Sequence, residues 1–369
     1  MIPRTFDVQG KAIAKGSTNV AAGRAPGAIP AGQPAPWQME LAQAVNDPAQ
    51  LLRALELEPS LGCMASGRDF SLRVPQSYIA RMRKGDPHDP LLRQVLPIVE
   101  EQAVASGFSY DAVGDIKAMT IPGLLHKYHG RVLLITTGAC AVHCRYCFRR
   151  HFPYADANAA TGQWEAALDY IRADTSIREV ILSGGDPLSL TDQRLAVLVN
   201  RLAEIPHMHT LRVHTRLPIV LPARVNDALL AWLTGGRLKP VMVVHVNHAN
   251  EIDDAVRAAL GRFTAAHVPL FNQSVLLHGV NASVTALAGL SHALFNAGVT
   301  PYYLHMLDRV QGAAHFEVDE VTVCRLLDEL RRILPGYLVP RLVREREGAP
   351  NKLPVPTPPH SPPKTSADA

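Results

Sequence analysis

From Val132 onward the chain alternates short apolar, β-branched runs with longer amphipathic stretches, six times in order. "VLLIT", "EVILS", "HTLRVHT", "PVMVVHV", "PLFNQSV" and "PYYLHM" have the length and composition of strands. "WEAALDYIRA", "DQRLAVLVNRLAEI", "VNDALLAWLT", "EIDDAVRAALGRF" and "SVTALAGLSHALFNAG" between them carry helical spacing. Six βα units in sequence predict an α/β fold, a parallel sheet with right-handed crossovers. Sites in parallel α/β barrels gather at the carboxyl ends of the strands. Polar residues fall there: three cysteines after the first strand, "GGDPL" after the second, His214 and Arg216 at the third, His245 and Asn247 at the fourth, Gln273 at the fifth and Asp308 after the sixth.

The rest of the chain divides around this core. Residues 1–36, rich in Ala, Gly and Pro, read as a flexible leader without the apolar core of a secretory signal. Residues 37–125 read as an N-terminal helical region, with Leu41, Val45, Leu51, Leu52 and Leu55 on apolar faces and Pro and Gly at the turns. The barrel core is expected over 126–310, a C-terminal helix and lysine-bearing segment over 311–353, and a Pro-rich disordered tail over 354–369. Hydrophobic content of 47% and charged content of 19% suit a globular protein, and no apolar run approaches bilayer length. A net charge of +4, dispersed along the chain, is too small to give the electrostatic footprint of a nucleic-acid-binding protein, and none is expected as a partner.

Cys140, Cys144 and Cys147 fall within eight positions, spaced C-x3-C-x2-C, in a chain of only five cysteines. Thiolates hold [4Fe-4S] clusters, and three of them leave one iron open to an outside ligand. The alternatives are core thiols or a zinc site, which would need His143 or His151 as a further ligand. An oxygen-sensitive cluster and an odd cysteine count point to a reducing cytoplasm. Cys324 lies in an amphipathic stretch with Val323, Leu326, Leu327, Leu330 and Leu334 and reads as a packing residue. "SGGDPL" supplies Gly184, Gly185 and Asp186 directly after a strand, where free backbone groups suit a charged amine or carboxylate. By itself it also fits an ordinary turn.

The cysteine spacing resembles that of radical S-adenosylmethionine (SAM) enzymes, and the six-unit core resembles their partial (β/α)6 barrel. In that family SAM chelates the open iron, and an electron from the cluster splits its sulfonium to give a 5'-deoxyadenosyl radical. From about Trp37 to Lys352 the chain is similar to lysine 2,3-aminomutases, most closely the compact bacterial type that makes β-lysine for modifying elongation factor P. The match is carried by "FSLRVPQSYIARMRKGDPHDPLLRQVLP", "KYHGRVLLITTGACAVHCRYCFRRHF", "SGGDPL", "NQSVLLHGVN", "PYYLHMLDRVQGAAHF" and "GYLVPRLVRE" followed by "NK".

The resemblance implies an isomerase that converts L-α-lysine to (R)-β-lysine with three cofactors: a [4Fe-4S] cluster, SAM and pyridoxal 5'-phosphate (PLP). It assigns Lys352 to PLP; Lys127, Tyr128 and Arg131 to PLP and its phosphate; and Gly184, Gly185, Asp186, His245 and Gln273 to SAM. Arg149 corresponds to the reader of the substrate carboxylate, and Asp308 to the holder of its distal ammonium. Lys127 stands where the metabolic enzymes have arginine, and Glu345 where they have a second aspartate. They also continue into a zinc-binding segment, which is not expected here. Implied partners are L-lysine, a reductant, elongation factor P and its lysine ligase, with no membrane. Rival readings are an aminomutase for another amino acid, one acting on lysine already attached to elongation factor P, and a non-enzymatic iron–sulfur or zinc protein.

Overall fold

The computed structural model describes residues 34–63, 70–155, 157 and 164–356. The expected leader lies outside these but for its last residues, as does the tail after Pro356. Ten strands follow one another in a single sheet, each beside its neighbour in sequence. They are β1 (Met119–Ile121), β2 (Leu124–Tyr128), β3 (Arg131–Thr137), β4 (Glu179–Gly184), β5 (Thr210–Thr215), β6 (Lys239–Val244), β7 (Leu270–Val275), β8 (Thr300–His305), β9 (Arg341–Arg344) and β10 (Leu353–Pro354).

The six strands expected from sequence are β3 to β8, joined in parallel. β9 adds a seventh parallel strand, pairing Tyr303 with Arg341 and His305 with Val343. Antiparallel strands flank this core: the hairpin β1–β2 turns at Pro122 and Gly123 and pairs with β3, and β10 folds back on β9. The span read as helical, 37–125, therefore holds short helices, Pro36–Ala42, Pro48–Ala54, Gln76–Ile79 and Pro90–Arg93, and then runs into strands.

Five of the longer helices start at a side chain that accepts a backbone N–H of the first turn, namely Thr191, Asn226, Asp253, Ser283 and Asp319, whereas Glu165–Ala173, between β3 and β4, follows Trp164 without a side-chain cap. The apolar stripes behind those caps are buried, as with Leu195, Leu198, Val199 and Leu202 of Asp192–Ala203. The strands alternate in a less usual way. In β5 Leu211, Val213 and Thr215 are buried while Arg212 and His214 are half-buried; in β7 Leu270, Asn272 and Ser274 are buried while Phe271, Gln273 and Val275 are half-buried. One face packs against apolar neighbours, and the other lines an interior with polar groups.

The two ends of the sheet approach through side chains. Lys127 of β2 meets Glu345, just past β9, at 3.2 Å, and Lys117 meets Glu347 at 2.7 Å. Gly114, at φ +68°, lets its loop pass here, because a Cβ would lie 2.6 Å from Cγ of Glu347. Among the described residues no helix is long and apolar enough to cross a membrane.

Candidate functional site

The cysteine loop leaves the carboxyl end of β3 and is anchored from below. Arg145, fully buried, donates Nε to Oε1 of Glu101 at 2.8 Å and Nη2 to Oε2 at 2.5 Å, and Arg150 donates to the same Oε2 at 2.7 Å. One carboxylate thus pins both sides of the loop. Removing one partner of such a buried cluster strands the others, so Glu101→Ala is expected to cost about 3–5 kcal/mol in chemical unfolding.

Cys144 Sγ accepts from Nη1 of Arg216 at 2.7 Å, and Nη2 of that arginine reaches Tyr78, Gln94 and Glu251. Burial, reinforced by Cys147 and Asp186, pushes the Cys140 thiol well up; burial and Cys144 push Cys147 to about 11. Thiolates in this loop therefore call for strong positive charge beside them, which cluster iron supplies. Among the described residues no three His, Cys, Asp or Glu side chains converge as a single metal ion would require. In a cluster each thiolate takes its own iron, so the donor set fits that group.

Beside the cysteines, the "GGD" turn brings backbone to backbone. Gly184 sits at φ +122°, where a Cβ would lie 2.5 Å from the Thr137 carbonyl, and a Cβ on Gly185 would strike Ala139 O. Gly185 N donates to Thr137 O and Asp186 N to Ala139 O. The Asp186 carboxylate is spent internally: it accepts from the Thr215 hydroxyl at 2.7 and 2.9 Å and from the backbone N–H groups of Leu188, Arg216 and Leu217. Its local task is to tie the β4 turn to the end of β5.

Across the interior, β5 to β8 present a band of imidazoles and amide. The rings of His214 and His245 lie 5.8 Å apart, edge to face. His214 Nε2, Gln273 Nε2 and His305 Nε2 are buried with no protein partner. Burial, with Arg216 and Lys352 nearby, lowers His245 to about 4, and burial leads the lowering of His214 and His305 as well. Neutral rings with orphaned buried nitrogens cost stability unless a ligand or water meets them. The band is thus suited to a polar cofactor.

On the far side, five charges alternate in one chain. Lys352 Nζ meets Glu345 Oε2 at 2.6 Å; Glu345 Oε1 meets Lys127 Nζ at 3.2 Å; Lys127 meets Asp115 Oδ1 at 2.5 Å; and Asp115 Oδ2 accepts from Arg149 Nε at 2.6 Å. Burial pushes Glu345 up, but Lys352 and Lys127 outweigh it and hold its carboxyl at about 2. Asp308, without an ion-pair partner of its own among the described residues, is pushed up to about 7 by burial and by Glu345. Lys127 also donates to Val113 O at 2.7 Å, so protein acceptors occupy all three of its protons. Arg131 stacks over the Tyr128 ring at 4.8 Å.

Of the residues singled out from sequence, the cysteines, Gly184, Gly185, Asp186, His245 and Gln273 lie at or near the carboxyl ends of the parallel strands, whereas Tyr128 and Arg131 lie at the opposite end, where Arg131 opens β3 and pairs with Glu179 of β4. Asp115 and His305 were not among them, and His214 had no role. Asp115 lies in a loop without periodicity. His305 shares the inward alternation of Tyr303, the only signal that marked it.

The Radical SAM superfamily profile matches residues 134–283. L-lysine 2,3-aminomutase of Escherichia coli K12 is 49% identical over 322 residues, covering 86% of this chain and 94% of that one. The enzyme of the same name from Haemophilus influenzae is 47% identical, with the same coverage. That from Clostridium subterminale is 33% identical over 86% of this chain and 77% of its own. With the barrel and the cysteine loop, these similarities establish that the chain belongs to the lysine 2,3-aminomutase family of radical SAM isomerases, membership of which implies a [4Fe-4S] cluster, SAM and PLP.

Proposed function

We propose that the chain interconverts L-α-lysine and (R)-β-lysine in a PLP-dependent reaction, with Cys140, Cys144 and Cys147 holding the cluster and Lys352 holding PLP. The observation that carries this reading is the alternating chain of charges, which has a guanidinium at one end and a lysine amine at the other. When bound, the cluster and SAM supply a radical able to take a hydrogen from the β-carbon, and PLP carries the migrating nitrogen.

The protein's task is to hold both ends of lysine. Arg149 donates Nε to Asp115 and Nη1 to Ser183 Oγ at 3.1 Å, and among the described residues these bonds leave Nη2 for the substrate carboxylate. Asp308 and Glu345 face the distal ammonium. Two fixed ends restrict the reacting carbon to one geometry, where a small displacement is costly. Arg131 and Tyr128 are the residues for the PLP phosphate. Lys127, with its protons taken, serves from behind, by orienting Glu345. The Gly184–Gly185 backbone, His245 and Gln273 serve SAM, and Asp186 holds that turn in shape.

Asp308 also gives lysine binding a pH dependence. Below about 7 its carboxyl carries a proton that the ammonium must displace; above it none. Lysine affinity is expected to rise with pH toward tenfold per unit below 7 and to level off above it. His245, lowered to about 4, does not titrate in that window. Equilibrium dialysis between pH 6 and 8 measures the slope, which Asp308→Asn should flatten.

The direct test is an anaerobic assay of reconstituted protein with SAM, PLP, dithionite and L-lysine, followed by chiral chromatography. (R)-β-lysine that depends on both cofactors supports the reading; SAM cleavage without a lysine product turns the search to another substrate. We assign the reaction to the cytoplasm and its product to delivery to elongation factor P through its lysine ligase.

A further inference from the structure

Between the two groups that hold the ends of lysine, the protein has inserted a link of its own. Arg149 and Glu345 do not touch; Asp115 and Lys127 stand between them, bonded to each other and to one end apiece. Both members are fixed from further directions. Asp115 N donates to Asp111 Oδ1 at 2.9 Å and the neighbouring Ile116 N to Oδ2 at 3.1 Å, which holds the loop. Lys127 is held by Val113 O. The Asp115 side chain is 4% exposed and that of Lys127 17%. Neither cation nor carboxylate can wander, since each would leave buried charge unpaired.

We infer that the Asp115–Lys127 pair is the spacer that fixes the separation of the carboxylate-holding and ammonium-holding ends, and so sets the length of diamino acid the site accepts. This rests on the assignment of those ends to Arg149 and to Glu345 with Asp308. A diamino acid one methylene shorter or longer can satisfy only one end while the spacer is intact. Once the spacer is broken, Arg149 loses the bond on Nε and Glu345 loses its second cation, and both can shift to meet a different length.

The test compares L-lysine with L-ornithine, one methylene shorter, by equilibrium dialysis on cluster- and PLP-loaded protein without reductant, so that nothing turns over. The wild type should favour lysine by roughly tenfold or more, the order of one well-placed charged hydrogen bond. Asp115→Asn should reduce that ratio toward one while iron and PLP contents stay as in the wild type. Lys127→Met should do the same, and serves if Asp115→Asn fails to fold; Lys127→Arg, which keeps a cation in the link, should retain the preference. If both spacer variants weaken lysine and ornithine by the same factor, the spacer is overturned and the assignment of the ends stands. If the wild type does not distinguish lysine from ornithine, or if Arg149→Gln and Asp308→Asn leave lysine binding unchanged, it is the assignment of the ends that falls.

Discussion

Replacing Lys352 with alanine is expected to reduce β-lysine formation to the limit of detection while iron content and cluster absorption stay at wild-type levels. The amine is the only group this position offers, and a methyl cannot take its place as a nucleophile toward an aldehyde cofactor. Lys352 precedes β10, while the cysteines follow β3, with six strands between them in the sheet order. No bond of Lys352 reaches the cysteine loop: its partner is Glu345, which keeps Lys127 in the variant. Iron analysis, visible absorption and the chromatographic assay on one preparation measure the effect, and a variant with full activity defeats the PLP assignment.

Cys144→Ala is expected to be the mirror image, losing cluster absorption, iron and turnover together while the chain stays folded and binds PLP. Two thiolates hold a cluster poorly, and Cys144 is the cysteine whose Sγ accepts from Arg216. Stranding a buried guanidinium is ordinarily severe, but Arg216 retains Glu251 at 2.8 Å and Gln94 at 2.7 Å. The loss should therefore fall on the cluster rather than on the fold, with a melting transition near that of the wild type. Unaltered iron content would count against the ligand set.

The strands β3 to β8 were legible because short runs of strand length and composition alternate in order with longer amphipathic stretches, the pattern of a parallel sheet with crossover helices. β9 was not, because "RLVR" is four residues with arginine at both ends, and only its pairing with β8 makes it a strand. The hairpin β1–β2 was hidden for a similar reason: three residues of β1 carry too little alternation to stand apart from the helices before it. At the site, residues on recognisable segments were found and their partners were not. Arg149 sits two positions past a cysteine motif, but Asp115 comes from a loop 34 residues away whose only claim is where it ends up. Asp186 illustrates the reverse limit: its segment pointed to SAM, while its carboxylate is engaged with β5.

The sheet is a ring left open by one gap, and its clasp is made from the site itself. Strand order runs from β1 to β10 without return, so no backbone ladder joins the ends; Lys127 from one side and Glu345 from the other do so where lysine is to be held. The companion pair Lys117–Glu347 is exposed and adds little. Fastening the ring and completing the site are then a single event. Glu345 and Lys352 follow Cys147 in sequence, so the clasp joins segments that the chain supplies on either side of the parallel core.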